Sequence, residues 1–494
     1  MDGPTGLTMG TAAGRWVLLA TVLGSAMVMI DGTVVNVALP HIARDLGADF
    51  GGLQWIINAY TLTLAGLILL GGSLGDRFGR RRLFLVGVVW FAVASAACGF
   101  APNVDLLIAA RALQGVGGAL LTPGSLALIS ASFYGVDRGA AIGAWSGLGG
   151  LAGAVGPFLG GFLSEWNWRA VFLINLPLAV VVVVVTVLRV PESRDAQAAP
   201  GLDVSGTVLA ALGLGALTFG LTELGRGGAT ASSLATISVG AVALAAFVAV
   251  ERRSPNPLVP PVLFADNTFR VANAVTLLIY GALGVVFLVL VLQLQTVAGF
   301  TAVAAGAALL PLTAMLLVFS SRAGALAARI GLRLPMSVGL ILAAGGLFLM
   351  LRIGRDASWL LDVLPAALVF GAGMSLVVAP LTSAVLDSAP DHLAGAASGV
   401  NNAVARVGGL LAVAVIPGLA GISGSVDAEP TAFDAGFRVT MVIAASILLV
   451  AAGLTVVGIK SRPVREGGGR IFVEQCPHCA INGPSPHPGC SCIS

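Results

Sequence analysis

Charged residues are scarce in this sequence. Only 10% of its 494 residues are Asp, Glu, Lys or Arg, whereas 57% are hydrophobic. The mean hydropathy is +0.98. A soluble domain averages about 25% charged residues. Because a water-soluble core cannot absorb this much apolar surface, we expect an integral membrane protein whose solvent is the lipid bilayer.

Lysine and histidine are almost absent. Lys460 is the single lysine, and there are four histidines. A phosphate-binding loop needs Gly-x-x-x-x-Gly-Lys followed by Ser or Thr, so its absence excludes ATP-driven pumping. His41 and His392 fall in turns on opposite sides of the membrane, and no Ser/His/Asp set accompanies them. We therefore predict neither an enzyme nor a cofactor, and no nucleic acid partner.

Apolar stretches recur along most of the chain. A helix needs about 20 apolar residues to span a bilayer, and none of the stretches alternates as a barrel strand would. The sequence therefore predicts an all-α integral membrane protein with 14 transmembrane helices. Their apolar windows begin near Arg15, Leu53, Leu83, Leu106, Ala140, Ala170, Val204, Leu234, Val271, Ala304, Pro335, Leu361, Ala394 and Val439.

A short charged turn lies between the second and third stretches. It reads Gly72-Ser-Leu-Gly-Asp76-Arg77-Phe-Gly79-Arg80-Arg81-Arg82. A weaker copy, Gly324 to Arg333, follows 252 positions later and has Ala328 in place of Asp76. Six helices with short turns need roughly 190 residues, so this offset leaves room for two more helices. A duplicated bundle with a two-helix insert is therefore predicted, as in many secondary transporters.

The predicted division of the chain follows from this duplication. Arginines concentrate in the turns after even-numbered helices, which places those turns and both termini in the cytoplasm of a cell-membrane protein. The predicted segments are a cytoplasmic N-terminus (1–14), a six-helix bundle (15–190), a linker with two extra helices (191–253), a cytoplasmic loop (254–270), a second six-helix bundle (271–460) and a cytoplasmic tail (461–494).

Two charges fall inside predicted helices. Asp31 precedes Pro40 by nine residues, which is about 13 Å of helix, and Arg111 lies about 9 Å from the outer turn by the same rise. The two side chains are therefore expected at similar depth. An intramembrane carboxylate is costly and usually functional. The alternatives are a packing aspartate that stays neutral and an arginine that snorkels to the outer interface.

Several strings together resemble the major facilitator superfamily, and more closely its 14-helix drug:proton antiporters. The resemblance covers about residues 15 to 460. It is carried by the charged turn and by four further strings. These are Ile30-Asp31-Gly-Thr33-Val-Val-Asn36-Val-Ala-Leu-Pro40, Leu107-Ile-Ala-Ala-Arg111-Ala-Leu-Gln114-Gly115, Gly156-Pro157-x-x-Gly160-Gly161 and Trp168-Arg169-Ala-Val-Phe172-Leu-Ile-Asn175-Leu-Pro177.

The resemblance implies roles for these residues. Asp31 and Arg111 would couple transport to protons. A cytoplasmic gate would be formed by Gly72, Asp76, Arg77, Gly79, Arg80 and Arg81, with Asp76 facing the N-terminus of the helix near Leu393. Purely topogenic charges would explain the arginines but not Asp76. Gly156, Pro157, Gly160 and Gly161 match the antiporter motif or simply pack closely. Asn36, Gln114, Asn401, Asn402 and Arg406 would line the cavity or pack.

The expected function is export of an amphipathic drug or antibiotic by alternating access, driven by the proton motive force. The partners would be the cargo, protons and the bilayer. A dedicated exporter of one endogenous metabolite or antibiotic is an alternative. A non-transporting membrane sensor or regulator is an alternative of another class, but it would not require duplicated gate turns.

The tail concentrates four of the five cysteines. Cys476, Cys479, Cys490 and Cys492, with His478 and His487 nearby, could form a tetrahedral zinc site. A cytoplasmic tail stays reduced, so disulfides are not expected. The Gly/Pro/Ser-rich surroundings equally suit a disordered appendage.

Overall fold

Fourteen helices long and apolar enough to cross a membrane occur in the part of the chain that the structure describes. The computed structural model describes residues 7–194, 203–254, 257–390, 393–422, 424 and 430–459, and these contain no β-strand. The predicted all-α fold is confirmed. The helices are α1 Ala12–Leu46, α2 Phe50–Phe78, α3 Arg80–Gly99, α4 Val104–Ser132, α5 Gly135–Asn167, α6 Ala170–Arg189, α7 Val204–Gly227, α8 Ala231–Glu251, α9 Asn267–Val297, α10 Ala302–Ile330, α11 Arg333–Met350, α12 Trp359–Asp387, α13 Ala394–Leu419 and α14 Pro430–Gly458.

Polar side chains start several of these helices. The Asp49 carboxylate accepts from the backbone N–H of Gly52 at 2.7 Å and begins α2. Asn103 begins α4 in the same way, accepting from Leu106 at 2.9 Å. The first N–H groups of a helix have no partner within it, so each cap satisfies a donor that would otherwise need water.

The last helix begins earlier than predicted. Its apolar window was placed near Val439, but α14 starts at Pro430. Asp434 and Arg438 lower the hydropathy of this first stretch. They pair with each other across one helical turn at 3.1 Å, which offsets part of their cost. Proline also fits the first turn of a helix, where its missing N–H is not needed.

Helices α1–α6 pack among themselves, and so do α9–α14. Between them in the chain, α7 and α8 form a pair in close contact: a Cβ placed on Gly213 would lie 2.8 Å from Leu244. The α7 helix also packs against α2 and α13, one from each bundle. The inserted pair therefore lies beside the seam between the two bundles.

The two bundles meet mainly where α2 packs against α13 and α5 against α10, and α1 also contacts α9 and α10. We call the end where α2 joins α3 the arginine-rich end, and the end where α1 joins α2 the opposite end. At the opposite end, the Glu165 carboxylate accepts from the N–H of Val303 at 3.1 Å. There also Gln295 Nε2 donates to the carbonyl of Val37 at 2.9 Å. The opposite end is therefore closed.

The arginine-rich end is open between α5 and α10. Gly143, Gly147 and Gly150 lie on the same face of α5 as Pro157 and Gly161, because residues four and three apart share a helix face. Pro157 and Gly161 contact α10, whereas nothing lies within 4 Å of a Cβ built on the three glycines. The two helices therefore diverge toward the arginine-rich end and leave a cleft between the bundles.

Candidate functional site

The duplicated turns share an unusual backbone. Gly79 ends α2 with φ +109°, and Gly331 ends α10 with φ +89°. Side chains rarely adopt positive φ, so both turns need glycine. The two residues are 252 positions apart, the offset at which the sequence repeats. The helix reversal is therefore the same in both halves of the chain.

The contacts of the first turn stay within the first bundle. Asp76 is paired with Arg80 at 2.7 Å. The Glu192 carboxylate, which follows α6, accepts from the backbone N–H of Arg81 at 3.0 Å and of Arg82 at 3.3 Å. It thereby caps the start of α3, where the helix dipole favours negative charge. A Cβ on Gly79 would lie 2.9 Å from Glu192 Oε1, so glycine also provides room for this cap.

The predicted contact of Asp76 with the N-terminus of the helix near Leu393 stays a prediction. A helix, α13, does begin at Ala394, but its cap Leu393 carries no side-chain hydrogen bond. Asp76 bonds Arg80 within its own bundle. Arg77 is exposed and lies over the Phe78 ring at 5.5 Å. The role of this turn as a gate stays a prediction.

The glycine motif of α5 joins three helices. A Cβ on Gly160 would lie 2.7 Å from the carbonyl of Val34 in α1, and one on Gly156 would collide with Thr33. On the other side, a Cβ on Gly161 would lie 2.8 Å from backbone atoms of α10. The hydroxyl of Thr33 donates to Gly153 O at 3.2 Å. This motif therefore forms the contact that closes the opposite end.

Asp31 and Arg111 meet inside the first bundle. Arg111 Nη1 donates to Asp31 Oδ2 at 2.5 Å. The relative exposures are 0% for Asp31 and 1% for Arg111, so the arginine does not snorkel to the interface. Its guanidinium is fixed further by a hydrogen bond from Nε to Ile56 O at 3.1 Å and by the Tyr60 ring, 4.2 Å away. The structure thus brings together the two charges that sequence placed at similar depth.

Two side-chain amides and one hydroxyl complete this buried network. Gln114 Nε2 donates to Asp31 Oδ1 at 2.8 Å and to Ser95 Oγ at 2.6 Å, while its Oε1 accepts from Arg111 at 2.6 Å. Asn175 Nδ2 donates to Ser95 Oγ at 3.1 Å. It also reaches Asp31 Oδ1 at 3.4 Å. Helices α1, α3, α4 and α6 therefore all supply a member.

Ser95 and Asn175 were not predicted as part of the site. Asn175 was visible only as a member of the string that opens α6, and Ser95 as one small residue in an apolar helix. Asn175 is an amide in the most hydrophobic span, and a buried polar group needs a hydrogen-bond partner. This combination could have indicated that Asn175 belongs to a buried polar site. Gln114 was expected at the cavity, but it lies at 0% exposure within the network.

The remaining predicted polar residues lie apart from this network. Asn36 is half-buried and donates to Gly32 O in its own helix at 3.3 Å. Asn401 donates to Thr276 Oγ1 at 2.8 Å and to Asn273 Oδ1 at 3.2 Å, which ties α13 to α9. Asn402 and Arg406 are half-buried. Their role in lining the cavity stays a prediction.

The proposed zinc ligands lie outside the residues that the structure describes. This holds for Cys476, Cys479, Cys490 and Cys492. Among the described residues, no group of three or more His, Cys, Asp or Glu could hold a metal ion. The zinc site and the disordered tail both stay predictions.

The sequence matches the model of a known protein family. The model for the Major Facilitator Superfamily matches residues 21–413. The chain belongs to the major facilitator superfamily. The chain is similar to several named proteins. The multidrug resistance protein Stp of Mycobacterium tuberculosis is 36% identical over 81% of this chain and 74% of its own length. The puromycin resistance protein of Streptomyces alboniger is 36% identical over 90% of this chain and 92% of its own.

A third relative covers nearly the whole length of both chains. The multidrug efflux pump LfrA of Mycolicibacterium smegmatis is 32% identical over 92% of this chain and 98% of its own. Solved structures of the superfamily share the fold at low identity. A peptide transporter bound to sulfate has a TM-score of 0.64 at 15% identity, covering 93% of this chain and 97% of its own.

Asn175→Leu tests whether the amide supports the network in this member of the superfamily. The change removes a donor to Ser95 and Asp31, so we expect a loss of roughly 1–3 kcal/mol of stability. The measurement is thermal unfolding of the purified protein in detergent. Asn36→Leu is the control, because its single hydrogen bond lies within α1. Equal melting temperatures for the two variants would contradict the assignment.

Proposed function

We propose that this protein exports small amphipathic drugs or antibiotics from the cell in exchange for protons. The relatives are named for multidrug efflux and for resistance to or export of antibiotics. Their similarity extends over most of this chain, so transport by the same fold is the simplest inference. The proposal includes no enzymatic step and no cofactor, and the proton motive force supplies the energy.

The observation that carries proton coupling is the buried network of Asp31. Asp31 is fully enclosed, and its carboxylate accepts from Arg111 at 2.5 Å and from Gln114 at 2.8 Å. An intramembrane carboxylate is costly and usually functional. The partners of Asp31 come from α4 and α6, so a movement of either helix during the transport cycle changes the contacts of the carboxylate. We assign Asp31 as the proton carrier and Arg111 as the group that sets its proton affinity.

Alternating access would follow from the two bundles rocking against each other. The arginine-rich end is assigned to the cytoplasm on the positive-inside rule. The described state is then open to the cytoplasm and ready to receive cargo. A second state would close the charged turn at Gly72 to Arg82 and open the end where Gly161 meets α10.

Uncoupler-sensitive efflux tests the function. Cells that lack their own exporters would be loaded with a fluorescent drug, with and without this protein. We expect faster efflux with the protein and loss of that difference on adding an uncoupler. An efflux rate that does not change when the uncoupler is added would argue against proton coupling. No efflux of any of several drugs would favour a dedicated metabolite exporter or a sensor.

The orientation gives a separate prediction. Gly79 follows α2 at the arginine-rich end, and Gly228 follows α7 at the opposite end, so reporters fused at these two positions should lie on opposite sides of the membrane. We expect a cytoplasmic signal at Gly79, next to four arginines of the first turn, and an external signal at Gly228. The measurement is a pair of reporters, one active only in the cytoplasm and one only outside. The same location for both fusions would overturn the two-helix insert.

A further inference from the structure

Arg406 is a deeply placed charge without a described counter-ion. It lies 12 residues after Ala394 and 13 before Leu419, so each end of α13 is about 18 Å or more away. It is half-buried. Within the residues that the structure describes, it has neither a hydrogen bond nor an ion pair, and Tyr60 and Tyr280 lie near enough to feel its charge.

The charges around Arg406 leave the membrane interior positive. In the described spans, Asp31 is the one carboxylate that lies more than seven residues from both helix ends. Arg111 already pairs with it. Arg322 and Arg438 each lie eight residues from the nearer end of their helices. Arg438 pairs with Asp434, whereas Arg322 is exposed and lies over the Phe319 ring at 5.7 Å. An interior with unpaired arginines and no free carboxylate attracts anions and repels cations.

Arg406 lies on the seam between the two bundles. Seven residues before it, a Cβ on Gly399 would lie 3.2 Å from Leu69 of α2. Seven residues after it, the carbonyl of Val413 accepts from Gln54 of α2 at 2.7 Å. Residues seven apart share a helix face. Arg406 therefore faces α2 between two contacts, at the point where the bundles must separate during transport.

The residue of α2 opposite Arg406 is Thr61. It is seven residues after Gln54 and eight before Leu69, the two contacts with α13. Its hydroxyl donates to Ile57 O at 3.0 Å, and the residue is half-exposed. By register along α2 and α13, Arg406 and Thr61 therefore lie at the same level of the seam. An unpaired arginine at this depth is costly in lipid, so such residues are usually functional.

We propose that Arg406, with Thr61 opposite it, binds a negatively charged group of the exported molecule, such as a carboxylate or phenolate. This inference rests on the proposed export function and adds the chemical class of the cargo. A guanidinium presents a fork of N–H donors that matches a carboxylate. Binding in the seam also places the anion in contact with both bundles, so that separating them weakens its site.

The test compares two probes that differ only at one carboxyl group: a coumarin dye bearing a carboxylate, and the uncharged ethyl ester of the same dye. Binding to the purified protein is measured by fluorescence, and transport by uptake into everted vesicles. We expect Arg406→Gln to weaken binding of the carboxylate dye at least tenfold and to leave the ester unchanged. Arg406→Lys should recover part of the loss, because an ammonium lacks the fork.

Arg322→Gln is the matched control, since it removes another arginine that lies within a membrane span and has no ion pair among the described residues. It should alter the affinity for the carboxylate dye much less than Arg406→Gln does. Equal losses for dye and ester, or equal losses in the two variants, would overturn the proposal. Failure of the wild-type protein to bind the carboxylate dye would overturn it too. Selective binding without vesicle transport would instead leave the anion site standing and contradict the export function.

Discussion

Asp31→Asn is expected to abolish uphill export while the protein still inserts and folds. Asparagine fits the same space and can accept from Arg111, but it cannot bind and release a proton. One proton crossing 100 mV supplies about 2.3 kcal/mol, which sustains a cargo gradient of roughly fortyfold. We expect this gradient to fall to equality in reconstituted vesicles. Cargo-induced proton release should disappear with it.

Asp45→Asn is the control for this change, because Asp45 lies on the same helix. Its ion pair with Arg169, at 3.1 Å, is half-exposed and contributes little. Export should persist in this variant. Wild-type proton release by Asp31→Asn would disprove the assignment and redirect attention to Glu223 or Asp387.

Arg111→Lys should restore only part of the export lost in Arg111→Ala, since lysine cannot reproduce the bonds to Asp31, Gln114 and Ile56.

Gly161→Ala is expected to reduce the transport rate at least tenfold. The new methyl group would lie 2.8 Å from backbone atoms of Ala302 and Val303, and backbone cannot swing aside as a flexible side chain does. Helices α5 and α10 must then separate at the opposite end. A cysteine in place of Gln295 would report this, in a background with the five native cysteines replaced. It should react faster with a membrane-impermeant maleimide.

Gly150→Ala is the matched control on the same helix face, where a Cβ would meet nothing within 4 Å. Alanine favours helix over glycine by about 1 kcal/mol, so this variant should be as stable as the wild type or more. Its transport rate should fall less than that of Gly161→Ala, because in the described state the new methyl group contacts nothing. Equal rates in the two variants would show that the α5–α10 contact is not needed for transport.

Sequence predicted the features that depend on short-range pattern. The 14 helices follow from apolar length, and the equivalence of Gly79 and Gly331 follows from the repeat. The meeting of Asp31 with Arg111 was anticipated because the helical rise fixes depth along each helix. Depth alone does not fix rotation about the helix axis. For that reason Gln114 was expected at the cavity, although it faces Asp31 from inside the bundle.

Other features depend on tertiary contacts that the pattern does not encode. Asn175 reaches the network because α6 packs against α1 and α3, and nothing in its neighbours indicates that partner. The partner of Asp76 depends on how far apart the bundles lie. In the proposed transport cycle the two bundles change their relative positions. The contact of Asp76 with α13 would then form in only one state, and sequence resemblance does not say which state a structure shows.

The location of the Asp31 network limits how the protein can move. All five side chains come from α1, α3, α4 and α6, and Asp31 is fully enclosed even though the cleft is open. Swinging one bundle against the other as rigid bodies would leave every one of these bonds intact. Water would still not reach the carboxylate. The proposed proton exchange at Asp31 therefore adds a second motion to the cycle, in which helices inside the first bundle slide or rotate.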